Sequence, residues 1–216
     1  MMIAASYSLI IEGCNFNEPD DLSEISSTIR TLFGVVVGLL FIKSTESFLK
    51  KHEKLKFGDL SGADARKVLL IIFVMTIHSF SEGVGIGVSF GGSRGRELGV
   101  FISASLAVHN VPEGLAVAIV LIPRKVSRLT AALWCILTSI PQPLMAVPAF
   151  LSVHYFIPIL PIGLGFAGGS MAWVALTELL KEAYEDTDFI TTAVISSISL
   201  LFMLAMQGFI DIESRH

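Results

Sequence analysis

Two short stretches of this chain carry chemically capable residues where hydrocarbon is the rule. His109-Asn110-Val111-Pro112-Glu113-Gly114 sits inside an apolar run from Val100 to Pro123. His78-Ser79-Phe80-Ser81-Glu82-Gly83 lies 31 residues earlier, in another apolar run. In each stretch His and Glu are four apart, which places them on one face of a helix, one turn above the other. Ionisable groups at membrane depth are costly, so they face a protein interior or a water-filled path. A lone His in an apolar span is more often a hydrogen-bonded packing residue. Two matched pairs in neighbouring spans point instead to one shared ion.

Neutral imidazole nitrogens and carboxylate oxygens suit zinc, iron and manganese, and the lack of thiolate argues against a soft Cu(I) site. His78, Glu82, His109 and Glu113 form a two-His, two-carboxylate set, enough for four-coordinate zinc. The two carboxylates neutralise a divalent ion in low dielectric, where an uncompensated charge is prohibitive. Ser79, Asn110 and Gln142 offer weaker neutral oxygens to a second position next door. Adjacent shared positions also keep binding weak enough for an ion to leave. For Gln142, a polar plug between helices is an equally good reading. Glu178 reads as an interhelical or interfacial carboxylate, and His154 and Met75 as packing or interface anchors.

The elements that must position these residues are membrane helices. Of 216 residues, 53% are hydrophobic, and mean hydropathy is +0.73. The apolar residues are concentrated in repeated stretches of about 20, the length that spans a bilayer. The expected fold is all-α and polytopic, a single membrane domain with six full spans at about 31–48, 68–90, 98–121, 129–151, 156–180 and 189–210. Residues 1–11 are too short to span and lack the charged start of a signal peptide. They read as the remnant of a helix, followed by an acidic loop at 12–30. Gly34 and Gly38 stand at GxxxG spacing, which permits close helix packing. Pro112 predicts a kink beside the polar groups. Pro141 and Pro143 flanking Gln142 predict a broken helix, tolerated only where it lines protein or water.

Residues 50–67 hold the densest charge, which predicts a solvated loop; a metal-sensing loop would need more than His52. Placing that loop in the cytoplasm puts ten Lys and Arg inside (50, 51, 54, 56, 66, 67, 124, 125, 128 and 181) against four outside (30, 94, 96 and 215). The positive-inside bias favours that orientation. Whether the membrane is the plasma membrane or an internal one is not encoded.

Other classes are disfavoured. A formal net charge of -4 and the lack of a basic, aromatic-interleaved surface argue against nucleic acid as a partner. Cys14 and Cys135 are far apart and form no CxxC, so neither a disulfide framework nor a thiolate metal site is expected. No GxxxxGK loop signals an attached ATPase, and no HExxH supports a membrane-embedded zinc hydrolase, the weakest alternative. No catalytic cofactor is expected.

With these residues in view, the chain resembles the ZIP family of divalent-metal transporters, and within it the GufA-like branch. The resemblance rests on the motifs at 109–114 and 78–83. It is supported by Ser139-Ile140-Pro141-Gln142-Pro143-Leu144 and by Ala172-Trp173-Val174-Ala175-Leu176-Thr177-Glu178-Leu179-Leu180. It covers about residues 31–210. It implies a non-enzymatic secondary transporter that moves zinc, or iron or manganese, towards the cytosol through a binuclear site, with alternating access by an elevator-like or rocking bundle. One metal position would use His78, Glu82, His109 and Glu113. The other would use Ser79, Asn110, Gln142 and both glutamates, which bridge.

Three departures from the family pattern stand out. Ser79 and Gln142 replace the Asn and Glu of many members, which predicts a weaker second position. Ser81 replaces a proline, which predicts a straighter helix. The family's first helix has no counterpart, and 1–11 matches only the end of its second, so the chain reads as truncated. That leaves a further alternative, a non-transporting partner that pairs with a full-length homologue. A homodimer or heterodimer is expected through the glycine-bearing faces.

Overall fold

Glycines let two pairs of helices meet backbone to backbone, and the remaining elements are hung on those pairs. A computed structural model describes residues 2–17, 21, 23–51, 56–58, 60–92 and 95–213, with the side chains of 50, 98, 101, 105, 109, 204 and 206–213 outside the description. His52 and its neighbours at 53–55 and 59, with Arg94 and Arg215, therefore lie outside the described residues, as does the side chain of His109.

The helices are α1 (Met2–Cys14), α2 (Ser27–Lys51), α3 (Gly62–Gly91), α4 (Gly95–Leu121), α5 (Arg128–Ser139), α6 (Pro141–Leu151), α7 (Val153–Phe156), α8 (Leu160–Val174), α9 (Leu180–Asp186) and α10 (Phe189–Glu213). A two-residue hairpin, β1 (Lys56–Phe57) with β2 (Leu60–Ser61), precedes α3. Short 3₁₀ turns join α4 to α5 (Ile122–Arg124) and α7 to α8 (Ile157–Ile159). A π turn, Ala175–Leu179, joins α8 to α9.

The fold is all-α and multi-pass. Among the described residues, five helical stretches are long and apolar enough to cross a membrane: Ser27–Leu49, Gly62–Gly91, Gly95–Leu121, Arg128–Leu151 and Val153–Asp186. The sixth expected span falls on α10, whose described apolar part is Phe189–Met203.

The first pair is α2 on α8. A Cβ on Gly34 would stand 2.1 Å from the Ile162 carbonyl oxygen, and one on Gly165 only 2.0 Å from that of Thr31. This small-residue seam is how helices associate where lipid supplies no hydrophobic drive. The second pair is α3 on α6, where Gly83 and Gly87 meet the carbonyls of Gln142 and Ala146. α1 joins α2 and α8 in one packing group, while α4, α5 and α6 gather on α3; α3 also touches α8. α3 is central because it packs against α4, α5, α6, α7 and α8; its span and that of Val153–Asp186 are each 61% buried, against 11% for the span from Arg128 to Leu151. Exposed Leu129, Leu133, Ile136, Leu144 and Val147 on that outer span are what a lipid-facing surface requires.

Several expected boundaries move. The acidic loop is shorter than 12–30, because α1 runs to Cys14 and α2 starts at Ser27. The hydroxyls of Ser27 and Thr28 donate to the Cys14 carbonyl (3.0 and 3.3 Å) and pin the two ends together. The charged loop is shorter than 50–67, because the hairpin and then α3 begin inside it. Gly58 (φ +57°) and Gly62 (φ +65°) supply left-handed backbone for the turn and the exit, and the Phe57 ring packs tilted against Trp134 with ring centroids 5.1 Å apart. α3 is 30 residues, hence about 45 Å, against about 30 Å of hydrocarbon. Its first turns, bearing Asp64, Arg66 and Lys67, extend beyond the apolar core.

The expected break at Pro141 is a single-residue interruption. Ile140 keeps helical backbone (φ -57°, ψ -37°), and its N–H reaches the carbonyls of Ile136 (3.1 Å) and Leu137 (3.4 Å). Pro141 occupies the first position of α6, where a missing N–H costs least. α4 likewise continues through Pro112 without a break in helical backbone.

Candidate metal centre

The i,i+4 spacing of α3 puts His78 and Glu82 on one face, and α4 lays Glu113 against them. His78 Nε2 lies 2.6 Å from Glu113 Oε1 and 3.3 Å from Glu82 Oε1. The three residues are 1%, 2% and 6% exposed. One ligand atom from each converges within 4.8 Å of the others. Close as they are, the ring nitrogens are not aligned for hydrogen bonding: both nitrogens of His78, and Glu113 Oε1, are buried without a hydrogen bond among the described residues.

That arrangement fits a divalent cation better than it fits a hydrogen-bonded core. With a neutral imidazole the trio carries two negative charges in a low-dielectric interior, where unpaired charge is prohibitive. Ligands about 2.0–2.1 Å from a tetrahedral ion stand about 3.3 Å apart. The His78–Glu82 separation already has that value, and Glu113 needs to draw back by about 0.7 Å to share the ion.

Of the residues singled out in the sequence, Asn110 and Gln142 come together beside this trio. The Asn110 side-chain amide is 2.9 Å from Gln142 Oε1, and its other atom is 3.2 Å from Glu82 Oε2. With its nitrogen turned towards Glu82, Asn110 donates to that carboxylate and its oxygen faces Gln142, whose amide then turns as well to donate to it; these orientations are assigned from the hydrogen-bond network. Asn110 thus links Glu82 on α3 to Gln142 on α6. Gly83, by admitting α6 so closely, is what brings Gln142 into range. Ser79 is buried on α3 (4% exposed) but is not one of the three converging residues. His109 holds its place in the α4 backbone, four residues before Glu113. Cys135 Sγ donates to the Gly114 carbonyl (3.2 Å), tying α5 to the turn of α4 that carries Glu113.

A second polar cluster was visible in the sequence only at Glu178, the expected interhelical or interfacial carboxylate. At the end of the molecule that carries the charged hairpin, Arg124 donates to Asp64 Oδ1 (2.8 Å) and Glu182 Oε1 (2.6 Å). Lys67 Nζ lies 3.3 Å from Glu182 Oε2 and 3.9 Å from Glu178 Oε2. Burial works against the charged guanidinium of Arg124, but its bonds to Glu182 and Asp64 outweigh that and hold its pKa above the ordinary value. A cavity of about 980 Å³, whose lining includes Lys67, Arg124, Glu178 and Trp173, opens there. The sequence signal was available: Lys67 precedes His78 by the same eleven residues by which Arg124 follows Glu113.

The family model described as ZIP Zinc transporter matches residues 50–210, three quarters of the chain and both motif helices. The chain belongs to the ZIP zinc transporter family. Among relatives of this ZIP chain, a provisionally named zinc transporter of Arabidopsis thaliana is 43% identical over 206 residues, which is 95% of this chain and 32% of that protein. Zinc transporter GufA of Myxococcus xanthus is 32% identical over 180 residues, 83% of this chain and 70% of GufA. Human zinc transporter ZIP11 is 34% identical over 127 residues, 56% of this chain and 37% of ZIP11. The chain therefore spans about a third of the Arabidopsis relative and of ZIP11, and over two thirds of GufA.

Proposed function

We propose that this chain is a secondary transporter of divalent transition-metal ions, zinc first and iron or manganese next, moving them towards the cytosol. The observation that carries the reading is the buried convergence of His78, Glu82 and Glu113, all hard-to-borderline ligands with no thiolate among them. His109 completes a four-ligand set from the next helix. Asn110, Gln142 and Ser79 form the neutral side of a second, weaker position. The relatives named zinc transporters support zinc as the cargo.

In this reading each residue has one task. His78 presents Nε2 to the ion, and Glu82 and Glu113 neutralise it and make its entry into low dielectric affordable. Asn110 orients Glu82 and keeps α6 in register with α3. Release follows when α3 and α4 separate enough to widen the ligand set.

The test is zinc-65 uptake into proteoliposomes holding the chain, beside Glu113→Ala. Uptake that falls at least about tenfold in the variant, the effect of losing ~1.4 kcal/mol or more at the site, supports transport through this centre. Equal uptake by both chains would overturn it. No uptake by either, with zinc still bound in a Glu113-dependent manner, would favour the alternative of a non-transporting partner with an intact site.

A further inference from the structure

The charged cluster at the hairpin end lies in line with the metal centre. Lys67 and His78 are eleven residues apart within α3, a separation of about 16 Å that returns to within about 20° of the same face. Arg124 stands eleven residues beyond Glu113, at the end of the 3₁₀ turn that continues α4. α3 and α4 meet at the metal centre through His78 and Glu113, and again at Asp64 and Arg124, some three turns away.

The partners of these two cations belong to the other packing group. Glu178 lies in the π turn that follows α8, and Glu182 lies in α9. α8 packs with α1 and α2 through glycine seams, whereas α4, α5 and α6 gather on α3; α3 also packs on α8, so the two groups meet along that face. Lys67–Glu178, Lys67–Glu182 and Arg124–Glu182 are therefore ion pairs across the boundary between the two groups, and Arg124–Asp64 is a pair within one. They are not loose surface contacts: the side chains of Arg124, Glu178, Lys67 and Glu182 are 10%, 14%, 19% and 27% exposed. Val74, on the same α3 face between Lys67 and His78, is 2% exposed.

We propose that Lys67, Arg124, Glu178 and Glu182 form a charged latch that ties the two packing groups together and closes the path from the metal centre to the hairpin end. The closed path serves the transport reading, on which its purpose rests. The latch itself is a property of the fold. Opening that end requires the three cross-boundary pairs to part together, and the 980 Å³ cavity gives water a place to receive the separated charges. The pairs are sufficiently buried that removing the cations leaves carboxylates poorly compensated, which weakens the closed arrangement.

The experiment is cysteine labelling in the full chain, with Cys14 and Cys135 replaced by Ala and Val74→Cys as the reporter. A membrane-impermeant maleimide is applied from the side that carries the hairpin. The double variant Lys67→Gln/Arg124→Gln is expected to label at least about tenfold faster than the parent, and Lys67→Arg/Arg124→Lys, which keeps every charge, at the parent's rate. Equal rates in the Gln variant and the parent would overturn the latch. So would the same acceleration in the charge-preserving variant, since that would mark a general loss of packing. Labelling needs no transport, so a chain that fails to carry zinc leaves this outcome readable, and a failed latch leaves the uptake test standing.

Discussion

At the residue scale, the candidate centre is built from an excess of anionic oxygen around one described imidazole, and in the proposed two-position reading its neutral neighbours set how many ions it holds. Gln142 is the residue to change. It sits 2.9 Å from the Asn110 amide, which in turn faces Glu82. A carboxylate there would add charge to the weaker position without disturbing the His78–Glu82–Glu113 trio. Gln142→Glu is expected to raise bound zinc from about one to about two ions per chain, since extra charge at an adjacent shared position favours a second cation. Metal analysis of detergent-purified protein after equilibrium dialysis checks this. An unchanged ratio would remove Gln142 from the second position.

At the element scale, the glycine that follows each motif glutamate plays two different parts. A Cβ on Gly83 would meet the Gln142 carbonyl oxygen at 2.2 Å, whereas one on Gly114 meets nothing within 4 Å. Gly83→Ala forces α6 off α3 and is expected to cost about 1–3 kcal/mol, the usual penalty of overpacking. Gly114→Ala is expected to gain up to about 1 kcal/mol from helix propensity alone. Thermal unfolding in detergent reads both, and a destabilised Gly114→Ala would contradict the open space assigned there.

The same contrast marks what was legible in the sequence. The His78–Glu82 pairing and the apolar spans were readable because helical period and hydrocarbon thickness are local rules. That both motif glycines look alike in sequence, yet only at Gly83 would a Cβ strike a neighbour, depends on which helix arrives opposite. Lys67 was read as part of a solvated loop because its paired carboxylates, Glu178 and Glu182, lie more than a hundred residues on. The prolines at 141 and 143 promised a break, but Pro141 found the first position of a helix, where it is tolerated.

At the scale of the whole molecule, α3 gathers α4, α5 and α6 and packs on α8 of the other group, carrying the candidate ligands His78 and Glu82 in its middle and Lys67 near its start. The apolar exterior suits a lipid surface, and among the described residues charge is held at the hairpin end, at the centre and in the Arg30–Asp21 pair where α2 begins. Two carboxylates that converge with an imidazole in a buried centre call for a cation between them. The direct measurement is X-ray absorption at the zinc edge on the zinc-loaded chain beside Glu113→Ala. The account predicts a shell of nitrogen and oxygen alone at about 2.0–2.1 Å with an imidazole signature, and loss of that shell in the variant. Zinc held through sulfur, or bound identically after Glu113→Ala, would contradict it.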